Sequence, residues 1–164
     1  MTEEETKPLF TTHGLALVVS QIATINPLTL DSSSKVKEAA RGMERCGCGC
    51  CLVESNGKII GIVTERDIVR RVAAKGLSLA KTSVKEIMSS PLIVIDPDAS
   101  IETACKIMAK NGLRRLPVVG EKGLLGIITI TDVARALAEK SSYTDILLNA
   151  IARKKNTEPS GIYG

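Results

Sequence analysis

Apolar residues recur along this chain in two rhythms, and each rhythm occurs twice. Val36, Ala39, Ala40 and Met43 follow the polar run Asp31-Ser-Ser-Ser, while Ile101, Ala104, Cys105 and Met108 follow Asp98-Ala-Ser. Steps of three and four place each set on one face of a helix opened by a polar cap. Downstream of each helix come two short β-rich runs joined by a turn. In the first series these are residues 48–53, Ser55-Asn-Gly-Lys and 59–63; in the second, 115–119, Gly120-Glu-Lys-Gly and 124–128. Asn-Gly between two such runs is a strong hairpin signal. A closing helix is predicted over 65–74 and over 131–139, and an extended piece follows Pro27 and Pro91 ahead of each series. The predicted order is β-α-β-β-α, twice.

The two series are copies. Residues 31–72 align without a gap on 96–137, and ten of the 42 positions are identical, among them Gly47/Gly112, Gly61/Gly126, Ile62/Ile127, Thr64/Thr129, Asp67/Asp132 and Arg70/Arg135. Ordinary composition gives about two or three such matches by chance. Each copy is too small to bury much core alone, so the copies are expected to pack on each other. The predicted fold is therefore α/β (α+β), a pseudo-two-fold pair of repeats with added terminal helices. Its expected parts are a lead with a short helix (1–21), a first repeat (22–76), a linker (77–82), a second repeat (83–140) and a C-terminal helix and tail (141–164). An apolar helix over 9–24 is expected to cover one face of the first repeat. Residues 83–88 read as a helical turn entering the second, and 143–152 as a further helix.

Composition narrows the function classes. Of 164 residues 44% are hydrophobic and 24% charged, as in an ordinary globular protein. The only aromatics are Phe10, Tyr143 and Tyr163, which removes the stacking platforms that single-stranded nucleic acid needs. A net charge of +4, spread along the chain, makes no strong case for a nucleic-acid partner either. No apolar run approaches a membrane span, and the acidic start Met1-Thr-Glu-Glu-Glu is unlike a secretory signal, so a cytoplasmic protein is expected. There is no Walker-type loop, and the one histidine, His13, has no evident nucleophile to serve, so the chain is not expected to be an enzyme.

The repeated Gly-Ile-x-Thr-x-x-Asp, each copy after a hairpin and before a helix, together with Arg115-Leu-Pro-Val-Val and the 65-residue period, resembles a tandem pair of cystathionine-β-synthase (CBS) domains, also called a Bateman module. The resemblance covers roughly residues 22–140, and with no catalytic domain attached the chain is similar to the stand-alone CBS-pair proteins of prokaryotes. It implies two clefts between the repeats that bind AMP, ADP, ATP or S-adenosylmethionine, and a homodimer. It further implies that one cleft combines Thr64, Arg66 and Asp67 with Pro91, Leu92, Ile93 and Arg115. The other would combine Thr129, Thr131 and Asp132 with residues around Ile25, Pro27, Ser32 and Cys50.

The chemistry suits such ligands. A carboxylate accepts hydrogen bonds from both ribose hydroxyls, a charge-assisted two-point contact. A Thr hydroxyl and the free N–H groups of a helix N-terminus suit phosphate oxygens. Thr-x-x-Asp ahead of an apolar helix is equally close to a capping box, which stabilises a helix by about 0.5–2 kcal/mol with no ligand at all. The clefts are expected to be unequal, because Cys50 stands where the other cleft has Arg115. The Asp67 cleft should take the charged nucleotide, and the Asp132 cleft should be empty, weaker or suited to a neutral adenosyl group.

Four cysteines fall within Cys46-Gly-Cys-Gly-Cys-Cys51, with Cys105 the fifth thiol. Strand alternation sends Cys48 and Cys50 to one face and Cys51 to the other, which is unsuited to ligating one ion. Buried structural thiols are the expected role; a disulfide or redox role and a metal site stand as alternatives. The resulting expectation is a non-catalytic adenine-nucleotide sensor that signals through dimer or partner contacts. Its rivals are a redox- or metal-responsive protein using the cysteines, and a ligand-free interaction scaffold.

Overall fold

The computed structural model describes residues 17–140, and both predicted repeats form within it. The first consists of β2 (Thr29–Asp31), α1 (Val36–Cys46), β3 (Cys50–Ser55), β4 (Lys58–Thr64) and α2 (Glu65–Arg71). The second contains α4 (Ile101–Asn111), β5 (Arg115–Gly120), β6 (Gly123–Thr129) and α5 (Ile130–Lys140). Two short elements complete the chain, β1 (Thr24–Ile25) and α3 (Val84–Ile87), with 3-10 turns at Val19–Gln21 and Ala73–Lys75. The expected helix over 143–152 and residues 9–16 of the expected lead helix lie outside the described residues.

Strand alternation builds two matching cores. Cys51 and Val53 on β3 and Val63 on β4 meet Val36, Ala39 and Met43 of α1. In the second repeat Leu116, Val118 and Ile128 meet Ile101, Ala104 and Met108 of α4. The hairpins are copies to the residue: each carries a register shift, between Val53 and Glu54 in one and between Val118 and Val119 in the other. Asn56 (φ 52°) and Gly57 (φ 74°) make the tight first turn that the Asn-Gly pair predicts.

The segments ahead of the repeats are exchanged. The turn at Val19 was expected to cover the first repeat, yet Val19 is fully buried in the second core, and its N–H bonds to Ala99 O at 2.9 Å. Strand β1 continues that exchange by pairing antiparallel with β6, giving a sheet of order β1-β6-β5. Helix α3, expected to enter the second repeat, instead buries Val84 and Ile87 in the first core, with Val84 N–H on Ser34 O at 2.8 Å. Ser89 and Ile62 then exchange backbone hydrogen bonds of 2.8 and 3.2 Å. Val19 and Val84 are equivalent in the 65-residue register, so the exchange obeys the pseudo-two-fold. Each fully buried valine contributes about 1.5–3 kcal/mol of transfer free energy, so the crossing segments fasten the repeats together.

Four local expectations are corrected. Asp31 does not cap α1: its carboxylate takes Ser33 N–H and Oγ at 2.8 and 2.6 Å, and the helix begins after Lys35, whose N–H is held by Glu38 Oε2 at 2.7 Å. The strand predicted from residue 48 begins at Cys50, because the left-handed cap of α1 at Gly47 (φ 62°) turns the chain first, as Gly112 (φ 62°) does before β5. The helix predicted over 65–74 ends at Arg71 and passes through the 3-10 turn to Gly76, whose φ of 66° stops it. The piece after Pro91 stays outside the sheet, touching it through a parallel bridge from Ile95 to Val118, whereas its counterpart β2 pairs parallel with β3.

Candidate functional site

At each strand-to-helix turn the Thr-x-x-Asp motif closes on itself. Asp67 Oδ2 accepts from Thr64 N–H at 2.9 Å and from Thr64 Oγ1 at 2.7 Å, and Asp67 N–H donates to Thr64 Oγ1 at 3.2 Å. In the second repeat the corresponding distances are 2.8, 2.7 and 3.2 Å. The capping box is therefore formed twice. Each Thr hydroxyl directs its only proton to its own Asp, which leaves that hydroxyl as an acceptor alone toward anything else.

The second carboxylate oxygen differs between the copies. Arg71 Nη2 lies 3.3 Å from Asp67 Oδ1, while Arg135 Nη1 lies 3.7 Å from Asp132 Oδ1. Arg71 also donates to Ile87 O and Ser89 Oγ, at 2.5 and 3.2 Å. It thus ties Asp67 to the exchanged segment that leads to Pro91. Ala136 stands at the matching place in the second repeat, so no such tie exists there. A carboxylate oxygen has two lone-pair directions, and each Oδ1 therefore keeps capacity for a hydroxyl donor.

Two clefts open at these turns. The first, of about 460 Å3, is lined by Thr64, Arg66 and Asp67 from one repeat and by Pro91, Leu92, Ile93 and Arg115 from the other half of the chain, the whole set expected from the sequence. The second, of about 480 Å3, brings Thr129, Thr131 and Asp132 together with Pro27 and Cys50. Ile25 and Ser32 are not among its lining residues. Ile25 is 65% exposed on β1, and Ser32 is held behind the sheet edge by Glu54 O at 2.8 Å. Strand β1 still reaches this cleft, through Thr24.

One expectation about charge is overturned. The second cleft does not lack a cation, because Arg114 and Arg115 line both clefts, as does Gly49. Spacing alone overlooked Arg114, Gly49 and Arg71.

A protein-family model of the CBS domain matches residues 19–74 and again 84–139. The chain belongs to the CBS-domain family. Its two CBS domains form the pair described above, a regulatory module. The chain is 35% identical over 117 residues to the CBS domain-containing protein YhcV of Bacillus subtilis, spanning 71% of this chain and 79% of that one. Among solved structures, a hexameric CBS-CP12 protein from bloom-forming cyanobacteria superposes with a TM-score of 0.69 at 30% identity, over 91% of this chain and 79% of that one. The CBS pair of the protein MJ0100, solved in complex with 5′-methylthioadenosine and S-adenosyl-L-methionine, superposes with a TM-score of 0.70 at 26% identity, over 77% and 100%. No helix among the described residues of this CBS pair is long and apolar enough to cross a membrane.

The cysteines divide by depth. Cys50 and Cys51 are buried thiols, as expected, and burial, aided by neighbouring Cys50, pushes the Cys51 thiol up to about 12. Cys46 and Cys48 depart from that expectation: they form a disulfide at the surface, with Cys48 on the rim of the second cleft. Among the described residues no group of three or more His, Cys, Asp or Glu side chains is placed to hold a metal ion. Because the thiolate is the reacting form, Cys51 is expected to resist alkylation after reduction at mildly alkaline pH, while Cys46 and Cys48 react first. Peptide mass mapping of the native reduced protein checks this order; early labelling of Cys51 contradicts it.

Proposed function

We propose that this chain is a non-catalytic regulatory module that binds an adenine nucleotide (AMP, ADP or ATP) between its repeats. It acts as an energy or metabolite sensor by altering homodimer or partner contacts. One observation carries the reading: the first cleft gathers Asp67, Arg66 and Arg115, a ribose acceptor with two phosphate donors, from segments of both repeats. Its volume of about 460 Å3 lies in the range of small-ligand sites. The adenosyl ligands of the MJ0100 pair support the ligand class and keep S-adenosylmethionine among the candidates. The hexameric CBS-CP12 neighbour supports assembly in general terms. A ligand shifts a conformation only by its differential affinity, so signalling requires that competing nucleotides favour different arrangements. Neither a nucleic acid nor a membrane is needed as a partner.

Calorimetric titration of AMP, ADP, ATP and S-adenosylmethionine into nucleotide-free protein tests the proposal. Micromolar binding of at least one is expected. Absence of heat with all four, for folded protein, would overturn it. A second reading, a redox-responsive protein, is favoured by the Cys46–Cys48 disulfide on the second cleft's rim. It predicts oligomer or ligand behaviour that follows the thiol state.

A further inference from the structure

The two clefts share the pseudo-two-fold, but the ground between them does not. Gly49 and Cys50 of the first repeat occupy the positions of Arg114 and Arg115 in the second. No matching pair of cations therefore opposes the arginines across the axis. A Cβ built on Gly49 would lie 3.7 Å from Arg115 Nη1 and 3.2 Å from Glu65 Oε2. The Glu65 carboxylate, which also lines the first cleft, and the Arg115 guanidinium thus flank the place that a side chain at Gly49 would take. The first cleft adds a cation of its own, Arg66, whereas among the described residues Arg114 and Arg115 are the only Lys or Arg side chains lining the second. Within the described residues the ion pairs of the chain are made by other cations, Arg71, Lys106 and Arg135.

We propose that Arg114 and Arg115 form one anion-binding station that serves both clefts. A guanidinium is charged at every accessible pH and grips phosphate with a planar fork, so turning the fork toward one cleft takes it from the other. A polyphosphate in the first cleft then lowers the affinity of the second for another anion, and linkage makes the effect mutual. An uncharged adenosyl ligand escapes this coupling. The inference rests on the nucleotide reading above and adds that its two sites are not independent.

The test uses the backbone amides of Thr64 and Thr129, each bonded to the Asp of its own cleft, as separate NMR reporters. ATP and adenosine are titrated into the wild type and into Arg115→Ala, Arg114→Ala and Arg66→Ala variants of the whole chain. Either Arg115→Ala or Arg114→Ala is expected to weaken the ATP response at both reporters by about tenfold, the loss for one hydrogen bond to a charged group. Arg66→Ala should weaken it at Thr64 alone. Adenosine responses should stay unchanged in every variant, which also verifies folding. If both arginine variants affect one reporter only while ATP still binds the wild type, sharing is overturned and the nucleotide reading stands. If neither ligand moves either reporter in the wild type, both fall.

Discussion

An Asp67→Ala variant is expected to lose nucleotide binding at the first cleft by about 100-fold or more, the equivalent of two hydrogen bonds to a charged group. It should also lose about 1 kcal/mol of stability, because the same carboxylate completes the α2 cap. The two losses have different origins and can be separated. An Asp67→Asn variant keeps an amide oxygen to accept from Thr64 N–H and Oγ1 but removes the charge facing Arg71 and the ribose. It is expected to recover most of the melting temperature and little of the affinity. Calorimetry and thermal melts on the three proteins give the answer. Should Asp67→Ala bind nucleotide as tightly as the wild type, the carboxylate would be a cap and nothing more. The capping geometry does not prejudge that result: Oδ2 serves Thr64, and Oδ1, held among the described residues only by Arg71 at 3.3 Å, has room for one more donor.

The same Asp illustrates what the sequence makes legible. Duplication at a fixed period of 65 residues exposes the repeat and its hairpins, because each is a local pattern of alternation and turn chemistry. It also places Asp67 and Asp132 at strand-to-helix turns. Long-range choices are less visible. Val19 and Val84 look like parts of the repeats they precede, and only the packed structure reveals that each fills the core of the other. That choice depends on which apolar face lacks a cover, a property of the assembled sheets rather than of any window of sequence. The charge of the second cleft is hidden for a related reason. Position-by-position alignment sets Cys50 against Arg115 and infers a missing cation, but a long side chain beside a pseudo-two-fold axis can serve both sides of it. Gly49, unremarkable as sequence, lines both clefts beside that arginine. Ile25 and Ser32 failed in the opposite way, since adjacency in sequence to Thr24 and to β2 did not bring them to the cleft.

The exchanged segments also yield a sharp contrast between two glycines that the repeat makes equivalent. Gly126 on β6 lies opposite Ile25 of β1, and a Cβ added there would stand 2.5 Å from the carbonyl oxygen of Thr24 and 3.5 Å from Ile25 Cα. Those are backbone atoms of a paired strand, so they cannot move aside without breaking the β1–β6 ladder. At Gly61, the counterpart, the nearest atoms are Sδ, Cγ and Cβ of Met88. A methionine side chain has three rotatable bonds and can withdraw much of itself. Gly126→Ala is therefore expected to cost about 3 kcal/mol, the upper end of ordinary overpacking, and Gly61→Ala about 1 kcal/mol, near its lower end. The larger loss should be local in a telling way. Hydrogen exchange at Thr24 and Ile127 should accelerate in Gly126→Ala, and ligand binding at the second cleft should weaken, because β1 carries Thr24 to its wall. Equal destabilisation by the two substitutions would mean that β1 is not held against β6 as closely as the ladder implies. The exchange of segments between the repeats would then contribute less to the second cleft than its geometry suggests.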